Sequence, residues 1–103
     1  MLSNFKTYQL SVELYRVCHS LKLPQHLKDQ LLRSSSSVAL NLAEGCGKRT
    51  LKDQRKFFDI AFGSLRETMA ILELANAPVP IITLADKTAA HLYKLLKWFD
   101  EAL

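Results

Sequence analysis

Apolar residues recur three and four positions apart along nearly the whole chain, and the pattern breaks at Pro24, at Gly45-Cys46-Gly47 and at Asn76-Ala77-Pro78-Val79-Pro80. Four stretches of helical length remain, over about residues 4–21, 25–44, 51–76 and 83–102. None of them alternates with period two, so there is no strand candidate. Short connections between long helices favour antiparallel neighbours. The pattern therefore predicts an all-α, antiparallel up-down-up-down four-helix bundle, with residues 1–103 as a single domain.

The first stretch carries two apolar rows, Phe5, Tyr8, Val12, Tyr15 and Leu10, Leu14, Val17, Leu21, leaving only Gln9, Glu13, Arg16 and Ser20 as a polar face. In the second, Leu27, Leu31, Val38 and Leu42 form one row, and Leu32, Ser36, Ala39 and Ala43 form a neighbouring row of mostly small residues. The run Ser34-Ser35-Ser36-Ser37 has the composition of a linker but lies in phase with this pattern, and it is read as helix. Gly45 is the expected left-handed terminator. The third stretch opens with Thr50 as N-cap and Asp53 three residues on. Its apolar residues, from Phe57 and Phe58 to Leu74, spread over roughly 200° of a helical wheel. A helix apolar over so wide an arc needs cover on two sides. Gly63 within it costs about 1 kcal/mol of helix propensity relative to alanine, so a close helix approach is expected there. Thr83 and Asp86 announce the fourth helix, with Leu92, Leu95, Leu96, Phe99 and Leu103 inward and Lys87, Lys94, Lys97 and Glu101 outward. Trp98 falls at the edge of that apolar stripe and is read as a core-margin aromatic, with an exposed interface anchor as the alternative.

Composition narrows the class. A chain of 103 residues can bury about 60–70% of the surface its unfolded form exposes. With 49% hydrophobic and 23% charged residues, and three Gly and three Pro, it is neither disordered nor fibrous. Cys18 and Cys46 are too few for a disulfide framework and lack metal-ligand spacing, which points to a reducing cytoplasm. No segment has the length of a membrane span, and the first residues lack the apolar core of a signal peptide. The formal net charge of +4 permits a polyanionic partner without requiring one.

Catalytic patterns are missing: there is no G-x-S-x-G, H-E-x-x-H or Walker loop, and no Glu stands three residues before His19, His26 or His91. No enzyme, metal or cofactor is expected. The densest cationic cluster is Lys48, Arg49, Lys52, Arg55 and Lys56, with Asp53 the only acid among them. It falls where the positive end of a helix dipole adds to the repulsion, which a nucleic acid would relieve by neutralisation and counterion release. No exposed aromatics are interleaved there for base stacking. Asn41 and Glu44 are polar positions in an otherwise packed helix. The expected roles are an inter-helix hydrogen bond from Asn41 and an ion pair from Glu44 to a cation such as Arg49; a small polar site at the bundle end, drawing on Glu67 as well, is the alternative.

Leu31 to Gly45, with its S-x-A-x-N-x-A-E-G pattern, followed by Phe58-Asp59-Ile60-Ala61-Phe62-Gly63-Ser64-Leu65-Arg66-Glu67, closely resembles the four-helix-bundle family named after proteins encoded in 23S rRNA intervening sequences. The resemblance extends over nearly the whole chain. It implies a bacterial up-down bundle assembled as a homopentamer. It also implies kinship with the accessory variability protein of diversity-generating retroelements, a basic pentamer that binds a reverse transcriptase and nucleic acid. Carried over by position, the family signature falls on Ser37, Asn41, Glu44, Gly45, Gly63, Ser64 and Glu67. The chain departs from many members in placing Phe62, rather than a basic residue, before Gly63.

The expectation is a non-enzymatic, homo-oligomeric bundle whose Lys48 to Lys56 rim contacts RNA, DNA or a nucleic-acid enzyme. The alternative is a protein-interaction module or adaptor that binds no nucleic acid.

Overall fold

The computed structural model describes residues 2–103, except for the side chain of Ser3. After a 3-10 turn at Leu2–Asn4, the chain forms α1 (Lys6–Ser20), α2 (Gln25–Cys46), α3 (Leu51–Leu74) and α4 (Val79–Ala102). The 24 residues of α3 and of α4 span about 36 Å at 1.5 Å per residue, close to the 41 Å long axis. α3 and α4, and α2 with its 22 residues, therefore run most of the length of the molecule, while the 15 residues of α1 cover about 22 Å of it, and short connections join them. Successive helices pack as neighbours and α4 closes against α1, the antiparallel four-helix bundle that the periodicity predicts.

The core forms where the four apolar stripes meet. Leu14, Leu31, Val38, Leu42, Leu65, Leu72 and Leu92 are completely buried in it. Phe58 is central: its ring packs against Phe5 at 5.9 Å and edge-on against Phe99 at 5.4 Å, tying α1, α3 and α4 together at one level. Along α1 the buried line runs through Thr7, Leu10, Ser11, Leu14 and Cys18. Tyr8, Val12 and Tyr15 of the second apolar row are only half-buried. Burial pushes the Cys18 thiol up to about 11, with Lys28 partly offsetting the effect.

The helix boundaries show which local signals operate. Thr50 caps α3 as expected, its side chain accepting from Asp53 N–H at 3.1 Å. The start expected at Thr83 is four residues late, because α4 begins at Val79 behind Pro78 with Pro80 in its first turn. Proline's fixed φ suits a first helical turn, and its missing N–H would have had no helical partner there. Gly45 does not terminate α2 either: the helix continues to Cys46, and among the described residues no glycine has positive φ. The left-handed terminator is Asn76, with φ of 52°, after α3. There Ala77 N–H reaches Leu72 O and Asn76 N–H reaches Glu73 O, both at 3.0 Å, the paired bonds of a Schellman motif. At the other end of α4, Leu103 is exposed instead of completing the inward stripe.

Candidate functional site

The serine run is helical and lies on the α2/α3 seam. Ser34 and Ser35 are buried, and Thr68 Oγ1 donates toward Ser34 Oγ at 2.8 Å, also lying 2.9 Å from the carbonyl of Ser64. One turn along, the hydroxyls of Ser37 and Ser64 meet at 2.8 Å. Asn41 Nδ2 donates to Ser37 O and Oγ at 2.9 and 3.0 Å. Asn41 thus braces its own helix and reaches α3 only through Ser37, rather than bonding across directly as expected, because its short amide meets the serine one turn back first. Glu44 pairs with Lys48, just beyond the end of α2, at 3.1 Å rather than with Arg49.

Gly45 closes the seam by size. A Cβ there would lie 2.7 Å from Phe58 Cε1 and 3.1 Å from Phe57 Cβ, so the absent side chain is what admits the two rings. Gly63 behaves differently: a Cβ added to it would meet nothing within 4 Å. The close helix approach expected at Gly63 is not made by this chain. Most of the family-signature positions, namely Ser37, Asn41, Gly45 and Ser64, therefore build one helix-helix contact, while Glu67 points to solvent.

The predicted cationic cluster divides into two kinds of residue. Lys48 is held by Glu44, and its Nζ lies 5.0 Å from the centre of the Phe57 ring. Arg55 is clamped between Asp59 and Asp100, with Nε donating to Asp100 Oδ1 at 2.8 Å, and these hydrogen bonds raise its pKa further. Arg49, Lys52 and Lys56 are exposed, and none has an ion-pair partner among the described residues. All three stand at the connection into α3 or in its first turns, where the helix N–H groups add positive potential. An exposed aromatic lies in the same half of the bundle. Trp98, expected at the core margin, is 53% exposed and stacks edge-on against Phe99 at 4.9 Å.

Two grooves complete the surface. One runs along the outer side of α1 and includes Tyr8, Val12, Glu13 and Arg16. The other follows the α3/α4 junction, past Phe62, Arg66, Met69 and Glu73 of α3 and Asp86, Ala89 and Tyr93 of α4. Asn41, Glu44 and Glu67 line neither. Among the described residues no helix is long and apolar enough to cross a membrane.

Fold and seam together define a small all-α protein of the up-down four-helix-bundle class. Within that class, the model of the 23S rRNA-intervening sequence protein family matches residues 4–98, and the chain belongs to that family. No curated protein matches the sequence.

Proposed function

We propose that the chain is a non-enzymatic subunit of a homo-oligomer whose free cations Arg49, Lys52 and Lys56 contact RNA, DNA or a nucleic-acid enzyme such as a reverse transcriptase. The observation that carries this reading is the division of the cationic cluster. Lys48 and Arg55 are neutralised within the chain, whereas three exposed cations at a helix start have no ion-pair partner among the described residues. Phosphate oxygens supply that partner, and releasing condensed counterions makes the contact favourable at low salt. The assembly half rests on apolar surface left open on long helices: Leu40 is 67% exposed, Ile60 44% and Tyr93 61%.

Titrating fluorescently labelled RNA and DNA against the protein at several salt concentrations tests the ligand half. Affinity falls as salt rises, and Arg49→Glu, Lys52→Glu and Lys56→Glu together abolish binding. Each neutral single variant lowers the salt slope by about one. Absence of binding at low salt, or binding indifferent to these changes, removes this half. Light scattering tests the assembly half, which requires a mass several times the 11.7 kDa of the chain and fails on a monomer at micromolar concentration. The exposed Trp98 and Tyr93 favour one further reading, a protein-interaction module, since such aromatics anchor protein interfaces. A protein co-purifying through Trp98 in the absence of nucleic acid binding would support it.

A further inference from the structure

The α3/α4 groove has a paired half and an unpaired half. Toward the start of α3, Arg55 is answered by Asp59 and Asp100, and the charges there neutralise one another. Toward the connection between the two helices, Glu73 and Asp86 line one hollow, and Arg66 lines the next. None of these three has an ion-pair partner among the described residues. Their own helices supply none, because no oppositely charged residue stands three or four positions from any of them.

The hollows arise from a mismatch in side-chain size. Where α3 presents Met69, α4 presents Ala85 and Ala89, and the completely buried Leu65 and Leu72 form the floor. Alanine is too short to fill the space opposite. Hollows of about 260 and 430 Å³ stay open as a result, joined through Met69 and Glu73, which line both. The turn at Asn76 and Ala77 closes the outer end of the first. An apolar floor with a few convergent polar groups is the ordinary make-up of a small-molecule site.

The spacing of the charges selects the ligand. Arg66 and Glu73 lie seven residues apart on the same side of α3, two turns or about 10 Å along the groove. A charge-assisted hydrogen bond takes about 2.8 Å at either end, which leaves about 5 Å between the two ends of a molecule seated there. A plain cation would satisfy the two acids and leave Arg66 unanswered; a plain carboxylate would do the reverse and meet the repulsion of Glu73 and Asp86. Both ends are met by a molecule with an ammonium, a short apolar chain and a carboxylate.

We propose that this half of the groove binds a short linear ω-amino carboxylate, its ammonium donating to Glu73 and Asp86, its carboxylate accepting from Arg66, and its methylene chain lying along Met69 and Ala89. The site lies within one chain and shares no residue with the Arg49, Lys52 and Lys56 rim, so it stands whether or not that rim contacts nucleic acid.

Met69 is one of two methionines in the chain, so methyl labelling of methionine gives it a signal of its own. In an NMR titration with 5-aminopentanoate the Met69 methyl signal shifts and saturates. Pentanoate and pentylamine, each lacking one charged end, bind about tenfold more weakly. Arg66→Gln, and Glu73→Gln combined with Asp86→Asn, weaken 5-aminopentanoate by a similar factor. All three residues are exposed, so the helices survive these changes, which circular dichroism verifies. In Arg66→Gln, pentylamine and 5-aminopentanoate bind equally, since the carboxylate then has no cation to meet. A Met69 signal that does not move, equal binding of the three compounds to the wild type, or variants that bind as the wild type does would each overturn the assignment.

Discussion

Facing α2, the third helix presents Ser64, Thr68 and the bare approach to Gly45; facing α4 it presents Phe62, Arg66, Met69 and Glu73. Small residues on the first side bring two backbones together and meet their polar needs by hydroxyl pairing. Long side chains on the second hold the helices apart, and the space between them is a groove with an ion-pair network at one end, Arg55 with Asp59 and Asp100. One helix thus joins a closed seam and an open junction. The difference teaches that the family signature lies mostly on the closed seam, where small and hydroxyl-bearing residues let two helices approach, while the surface available to partners lies where large residues leave room.

Gly45→Val breaks the closed side most severely. Its methyl groups have no space beside Phe57 and Phe58, and the expected loss is about 3 kcal/mol of unfolding free energy by urea denaturation, at the upper end of overpacking costs. Thr68→Val keeps the shape but removes the buried hydroxyl bond between Thr68 and Ser34, whose own hydroxyl still donates to Leu31 O, for a loss of about 1 kcal/mol. Combining it with Ser34→Ala costs less than the sum of the two single changes, because both remove the same bond. Gly63→Ala inverts the result at Gly45: with open space around the new methyl, the gain in helix propensity raises stability by about 1 kcal/mol. A loss of stability there would mean that Gly63 is closely covered. On the open side, Arg55→Ala costs below about 1 kcal/mol and still less in high salt, since its carboxylate partners are solvent-exposed. A larger, salt-independent loss would make the α3/α4 junction as rigid as the seam.

Helix number, the direction of each inward face and the helical serine run were legible because each depends on periodicity within one segment. The Thr50 cap was legible for the same reason, its acceptor and donor being three residues apart. The α4 start was misplaced because two local signals competed: Thr83 with Asp86 resembles a cap, but Pro78 and Pro80 already favour helical geometry four residues earlier. Gly45 and Gly63 look equivalent as mid-pattern glycines. They differ only in what another helix brings to them: two rings at Gly45, and nothing within 4 Å at Gly63. The cationic cluster was visible as a string of residues, yet the partner that clamps Arg55 from α4, Asp100, lies 45 positions away.

By itself, then, the sequence determined the all-α class, the four helices, their inward faces and the family signature. These follow from backbone hydrogen bonding every 3.6 residues and from burial of apolar area, both of which act locally along the chain. Only the tertiary structure decided which cations remain free, which glycine is compressed, and that Asn41 acts through Ser37. Each of these depends on side chains far apart in sequence arriving at the same height, and helix packing sets that height, not periodicity.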